Sequence, residues 1–126
     1  MRVVERAKEL IGTPYKRGGT SQAKGFDCSG LLVYLFRKEA GMVLPRTTSS
    51  MIKERYQRVS RNELQPGDAV FFSYSNQKQV DHVGLYIGNN RFIHAPRTGK
   101  NVRIDSMNNQ FWNDRFFSAR RFNSKR

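Results

Sequence analysis

His82-Val83-Gly84-Leu85-Tyr86-Ile87-Gly88-Asn89-Asn90-Arg91-Phe92-Ile93-His94-Ala95 reads as two alternating runs joined by turn residues. That is the pattern of an antiparallel β-hairpin. A three-residue loop at 88–90 sets Ile87 opposite Arg91 and Gly84 opposite His94. His82, Gly84, Tyr86, Phe92 and His94 then share one face, while Val83, Leu85, Ile87, Ile93 and Ala95 form an unbroken apolar set on the other. A two-residue loop would instead place the His94 imidazole among Val83, Leu85 and Ile87, where it costs free energy unless paired. Burial therefore favours the three-residue register. In it the histidines are diagonal neighbours, about 7–8 Å apart at the backbone and within reach of one another's rings. Gly84 between them leaves room for an approaching group.

Working outward, Gln65-Pro66-Gly67-Asp68 is a turn leading into a strand at 69–72, and residues 101–105 and 116–122 complete an expected set of about five strands. Upstream the period changes to that of helices. Val3, Val4, Ala7, Leu10 and Ile11 recur at helical spacing and are stopped by Gly12 and Pro14. After a glycine-rich loop at 17–26, Cys28, Leu31, Leu32, Leu35, Phe36 and Ala40 fall on one stripe of a second helix closed by Gly41. Thr47, Thr48 or Ser49 caps a short third helix running to about Tyr56. Helices first and an antiparallel sheet after them predict an α+β fold. Residues 1–126 read as one domain, with a basic tail from about 115 that carries Arg120, Arg121, Lys125 and Arg126 and no acid after Asp114. That tail either holds a polymer or is solvated.

Composition bounds the function. With 37% hydrophobic and 12% aromatic residues, the 126-residue chain has a real core, which excludes a disordered segment. A single cysteine excludes intrachain disulfides and a Cys-rich zinc module, and one Cys with two His is a ligand short of a structural zinc site. Twenty-three basic against ten acidic residues give a formal charge of +13, a field that attracts polyanions. Aromatics do not alternate with basic residues as a stacking platform requires, so nucleic acid is not the expected partner. No apolar run is long enough for a transmembrane segment. The first residues lack the apolar stretch of a secretory signal, so the expectation is either retention inside the cell or a trimmed or separately delivered form.

Cys28 opens the second helix, directly after Asp27. Positive partial charge at a helix N-terminus lowers a thiol pKa from about 8.5, so Cys28 is expected to react with iodoacetamide well below that pH. The competing reading makes Cys28 a small hydrophobe on the apolar stripe and Asp27 a plain N-cap. Two histidines converging on one face, with a thiol elsewhere in the chain, follow the general logic of a nucleophile, a base and an orienting group.

Those residues also carry a resemblance. Gly12-Thr13-Pro14-Tyr15, Gly18-Gly19, Phe26-Asp27-Cys28-Ser29-Gly30-Leu31, Leu44-Pro45-Arg46-Thr47, Leu64-Gln65-Pro66-Gly67-Asp68, His82 to Gly88 and Phe92-Ile93-His94-Ala95 resemble, in order, the blocks of the NlpC/P60 bacterial cell-wall cysteine peptidases. The resemblance implies a compact papain-like fold with Cys28 as nucleophile, His82 as general base and His94 orienting it. It further implies a Tyr15 hydroxyl that joins the Cys28 N–H in an oxyanion hole, and Asp27 and Ser29 lining the substrate groove. Arg46 reads as a structural ion-pair residue. The implied substrates are peptidoglycan stem peptides, cut between D-glutamate and a diamino acid or at the D-alanine to diaminopimelate crosslink, with no metal or organic cofactor. Anionic envelope polymers suit the charge, and the implied location is the periplasm or the cell wall outside the cell. Alternatives are a phage lysin or interbacterial toxin of the same fold, an enzyme of related architecture cutting another amide, and a non-catalytic polyanion-binding module.

Overall fold

The computed structural model describes residues 2–75 and 79–125. α1 (Arg2–Glu9) buries Val3, Val4 and Ala7, and the chain turns away at Gly12, whose φ of 99° is costly for other residues. Residues 12–15 are pinned to a later loop: Gly12 donates to the Val102 carbonyl, Val102 to Thr13 and Tyr15 to Lys100, at 2.8–2.9 Å. A small ribbon of β1 (Thr20–Ser21) and β2 (Gly25–Phe26) then delivers the chain to α2 (Cys28–Ala40). α2 buries Leu31, Leu32, Leu35 and Phe36 of the expected stripe, leaves Ala40 exposed in its last turn, and ends at Gly41 in the left-handed region (φ 65°). Each fully buried leucine contributes about 1.5–3 kcal/mol, so this stripe is what seats the helix on the sheet. α3 (Thr48–Lys53) is capped by Thr47 in a reciprocal box with Ser50 and stops three residues before Tyr56.

The main sheet has six strands, one more than expected. It comprises β3 (Tyr56–Val59), β4 (Ala69–Phe72), β5 (His82–Gly88), β6 (Arg91–His94), β7 (Arg103–Ser106) and β8 (Phe116–Lys125). Their order is β3-β8-β4-β5-β6-β7 with every neighbour antiparallel, and α4 (Gln110–Arg115) joins β7 to β8. The fold is α+β.

The hairpin reconciles the two loop readings. Its turn is the two-residue Asn89-Asn90, both at positive φ (55° and 59°), with Gly88 paired to Arg91. A bulge between Tyr86 and Gly88 then absorbs Ile87, so that Leu85 meets Ile93 and Tyr86 meets Phe92. The faces are therefore those expected. Val83, Leu85, Ile87, Ile93 and Ala95 pack in one core with α1 and α2, whereas Tyr86 and Phe92 belong to a second core with Val70, Phe72, Met107, Trp112 and Ala119. The room above Gly84 is taken by its neighbours: a Cβ there would stand 2.7 Å from the Phe92 ring and 3.2 Å from the His94 Cβ.

The basic segment from about 115 is not a solvated tail but structure. Its residues 116–125 form β8, between β3 and β4. Arg121 pairs with the buried Asp68 carboxylate at 2.8 and 2.9 Å, and Arg120 is itself buried against the Ala119 carbonyl. Removing one partner of a buried ion pair costs about 3–5 kcal/mol, so Arg121 belongs to the fold rather than to a polymer-binding surface. Arg126 lies outside the described residues.

Candidate active site

The start of α2 is held from three sides. Asp27, in extended conformation, caps the helix by accepting the Gly30 N–H at 2.7 Å, and its other oxygen accepts the Gly18 N–H at 3.1 Å. The Arg46 guanidinium spans the two carboxylate oxygens at 2.8 and 3.2 Å and donates to Ser29 Oγ at 2.9 Å. Arg46 is thus the ion-pair residue expected. Asp27 is an N-cap whose charge is already matched, so little of it is left for a substrate ammonium. A Cβ on Gly30 would overlap the Gly19 carbonyl oxygen, which itself accepts the Asp27 N–H at 3.1 Å. This contact explains why a glycine stands at position 30 in the first turn of the helix.

The Cys28 sulfur is partly buried, lies 3.6 Å from Thr48 Oγ1 and accepts the backbone N–H of Val83. The sulfur thus stands against β5 at the residue following His82. Tyr74 stands beside both groups: its ring centroid is 5.4 Å from that of His82, and burial followed by the nearby Cys28 charge raises its hydroxyl pKa. The Tyr15 hydroxyl pKa is likewise raised, first by burial and then by the Cys28 charge.

His82 and His94 are joined directly. His82 Nε2 and His94 Nδ1 are 2.7 Å apart, and His94 Nε2 is 2.6 Å from Asp105 Oδ2, which also accepts from Arg103 Nε at 2.8 Å. The chain of contacts fixes the tautomers. A carboxylate can only accept, so His94 carries its proton on Nε2 and presents a bare Nδ1. His82 then donates from Nε2 and keeps its lone pair on Nδ1. The register places Asp105 here: His94 pairs with Arg103 across β6 and β7, and Asp105, two residues on, shares that face. Sequence reading had 101–105 as a strand but gave its last residue no role. Trp112 was also missed. It stacks on His82 (5.5 Å, 27°) and meets His94 edge-on at 4.9 Å, leaving the two imidazoles 1% and 0% exposed.

Burial lowers His82 well below its ordinary pKa, helped by its proximity to His94. His94 is lowered too, again first by burial, against the opposing pull of Asp105. Burial alone would raise Asp105, but hydrogen bonds from His94 and Arg103 hold it below its ordinary value. Imidazoles in the unfolded chain bind protons near pH 6.5, before the buried pair does, so acid favours unfolding. The melting temperature is expected to fall by roughly 5 °C or more between pH 7 and pH 5, with the Asp105 contribution lost separately below about pH 4. A melting temperature that is flat or rising on acidification in scanning fluorimetry would contradict the neutral pair.

Cys28 departs from the sequence expectation. Burial pushes its thiol up, and the hydrogen bonds from Thr48, Val83 and Ser29 offset this only in part. With the imidazole pushed down and the thiol pushed up, both shifts favour the neutral thiol and neutral imidazole over a preformed ion pair. Iodoacetamide labelling should therefore keep accelerating above about pH 8.5. A rate that levels off below pH 7 would restore the preformed thiolate.

Among the described residues, no group of three or more His, Cys, Asp or Glu side chains is placed to hold a metal ion, and no helix is long and apolar enough to cross a membrane. The arrangement is a thiol at a helix start, two directly bonded imidazoles on the sheet and a carboxylate at the end of their chain.

Known proteins share both the sequence and the shape. The NlpC/P60 family model matches residues 12–121. The chain is 42% identical over 119 residues to the probable endopeptidase YafL of Escherichia coli K12, covering 94% of this chain and 48% of that protein. It is 40% identical to the murein DD-endopeptidase MepH of the same strain, covering 94% and 44%. The chain thus spans about half the length of these curated relatives. A crystal structure of an NlpC/P60 family protein from Bacillus cereus superposes with a TM-score of 0.89 at 33% identity, covering 96% of this chain and 39% of that one. The NlpC/p60 domain of the peptidoglycan hydrolase SagA superposes at 0.81 with 28% identity, covering 94% and 95%. With motif order, architecture and family model in agreement, the chain belongs to the NlpC/P60 family.

Proposed function

We propose that the protein is a cysteine endopeptidase that hydrolyses peptide bonds in peptidoglycan stem peptides, with Cys28 as nucleophile, His82 as base and His94 as its orienting partner. The observation that carries this reading is the 2.7 Å contact between the two imidazoles, continued at 2.6 Å to Asp105, beside a sulfur that touches β5 at Val83. As Sγ attacks the scissile carbonyl carbon, His82 Nδ1 takes its proton. The resulting imidazolium donates through Nε2 to His94, whose own N–H is held by the Asp105 carboxylate. The Cys28 N–H and the Tyr15 hydroxyl receive the oxyanion, each worth about 3–4 kcal/mol in the transition state. His82 returns the proton to the leaving amine, giving a thioester and a free amino fragment. Water, deprotonated by the same imidazole, then attacks the thioester, and the thiol is restored. Asp27 and Ser29 serve this step by fixing the helix start with Arg46.

Relatives supply two candidate bonds. MepH is named a murein DD-endopeptidase, and a Bacillus subtilis relative 37% identical over 122 residues is named a gamma-DL-glutamyl hydrolase. Digestion of purified sacculi, followed by mass spectrometry, tests the reading and separates the bonds. Crosslinked dimers resolve into intact monomers in the first case, and stems are truncated after D-glutamate in the second. Sacculi that yield no new fragments would refute the assignment. MepH is named for murein and a Bacillus subtilis relative, LytE, for peptidoglycan, so the proposed place of action is the cell envelope or beyond. The +13 charge suits anionic envelope polymers as a holding surface.

Asp105 enters this reading as a positioning residue. Both of its bonds fall on Oδ2, so an asparagine oxygen can keep them, while alanine cannot. Asp105→Ala should lower kcat/KM about 10- to 100-fold and Asp105→Asn less. In both variants the acid limb of the pH profile should move to lower pH, because the carboxylate's charge is what raises His82. An unshifted limb would leave Asp105 a purely structural role.

A further inference from the structure

Beyond the histidines lies a cavity of about 470 Å³ that the reaction scheme above does not use. Its walls include Tyr74, Phe111 and Trp112, with Arg97, Arg103 and Asp105 at its polar edge. It begins where the chemistry ends: Tyr74 and Trp112 both face the His82 ring, and Asp105 is bonded to His94. The two cations are not equivalent. Arg103 is neutralised by Asp105 at 2.8 Å, whereas the Arg97 guanidinium has no hydrogen-bond or ion-pair partner among the described residues. The cavity therefore offers apolar aromatic walls and one uncommitted positive charge.

Direction follows from the proton. On the proposed reading, His82 hands its proton to the leaving amine, so the amine-bearing fragment lies on the His82 side of the sulfur. The Asp27, Ser29 and Arg46 cluster occupies the helix side, where the acyl portion goes. We propose that this cavity binds the leaving fragment and that Arg97 recognises a carboxylate on its diamino acid, the methylenes lying against Tyr74 and Phe111. The protein thus selects diaminopimelate-type stems over lysine-type stems, whose diamino acid lacks the second carboxylate. Both candidate bonds have the diamino acid on the leaving side, so the inference rests on the hydrolase reading but not on which bond is cut.

Trp112 is the only tryptophan of the chain and lines the cavity, so its fluorescence reports occupancy without catalysis. Cys28→Ala protein is titrated with two synthetic stem peptides that differ only in meso-diaminopimelate or L-lysine, both C-terminally amidated to remove the other carboxylate. A guanidinium–carboxylate contact at a partly exposed site predicts about tenfold tighter binding of the diaminopimelate peptide, weakening with salt. Adding Arg97→Gln should bring the two within about twofold, and Arg97→Lys should keep part of the gap. Equal affinities in the parent, a gap that survives Arg97→Gln, or an unamidated lysine peptide that binds as tightly as the diaminopimelate one would each overturn the assignment. Failure here with normal fragment release from sacculi removes the subsite alone. A persisting gap without any release removes the hydrolase reading and leaves the binding site.

Discussion

Cys28→Ala protein should release no stem-peptide fragments from sacculi that wild type digests, a loss of at least about 10⁴-fold. The size follows from the site, because the other hydroxyl at the head of α2, Ser29 Oγ, is held by Arg46 at 2.9 Å. Thr48 Oγ1, 3.6 Å from the sulfur, is bonded to it rather than to an imidazole. Cys28→Ser should be nearly as inactive, since a buried hydroxyl is far harder to deprotonate than the thiol and His82 is itself a weak base here. Folding is expected to survive both changes, which a melting curve would confirm, and sacculus binding should persist and weaken with salt because the cationic surface is untouched. Fragment release at more than a few per cent of wild type by the alanine variant would remove the nucleophile. Salt-sensitive sacculus binding with no fragment release even by wild type would instead make a polyanion-binding module the better description.

The hairpin was legible because both of its faces obey one period. Every apolar residue of Val83, Leu85, Ile87, Ile93 and Ala95 reached the α-helical side of the sheet, and His82 and His94 came out together on the other. The turn was read as three residues and is two, yet the faces held, because the bulge at Ile87 restores the register that burial demands. What the sequence concealed depends on distant pairing. β3 is a four-residue edge strand whose partner lies some sixty residues away, and Tyr56-Gln57-Arg58-Val59 is buried only at its two ends, so it shows no alternation to read. α4 has six residues and one buried side chain, Trp112, too few for a helical stripe. Asp105 was visible as a residue but not as a partner. Its meeting with His94 requires the β6–β7 register, although the alternation of Arg103 and Asp105 around Ile104 would have shown it had the meander been extended one strand further. Charge misled in one place. A run of arginines without acids looked like a tail, because Asp68, which neutralises Arg121, precedes it by 53 residues.

Trp112→Ala should be among the most damaging substitutions outside the nucleophile, because the indole serves the fold and the site together. It is 5% exposed and meets Phe72 at 5.1 Å and Phe92 at 5.4 Å in the second core, while covering both imidazoles. Truncating a buried tryptophan typically costs about 3–5 kcal/mol, and a six-residue helix with no other buried residue has little with which to close the gap. Water admitted there also relieves the burial that holds His82 and His94 low, so both pKa values should rise toward the ordinary imidazole value. The acid limb of the pH profile would then move to higher pH, opposite to the shift expected for Asp105→Asn. Trp112→Phe, which keeps a ring over His82, should recover most of the stability and return the limb toward its wild-type position. Denaturant unfolding followed by circular dichroism and a pH–rate profile decide the matter. A loss below about 1 kcal/mol would mean that α4 is not the lid on the histidines that its contacts describe, since a buried Trp→Ala change costs several times that.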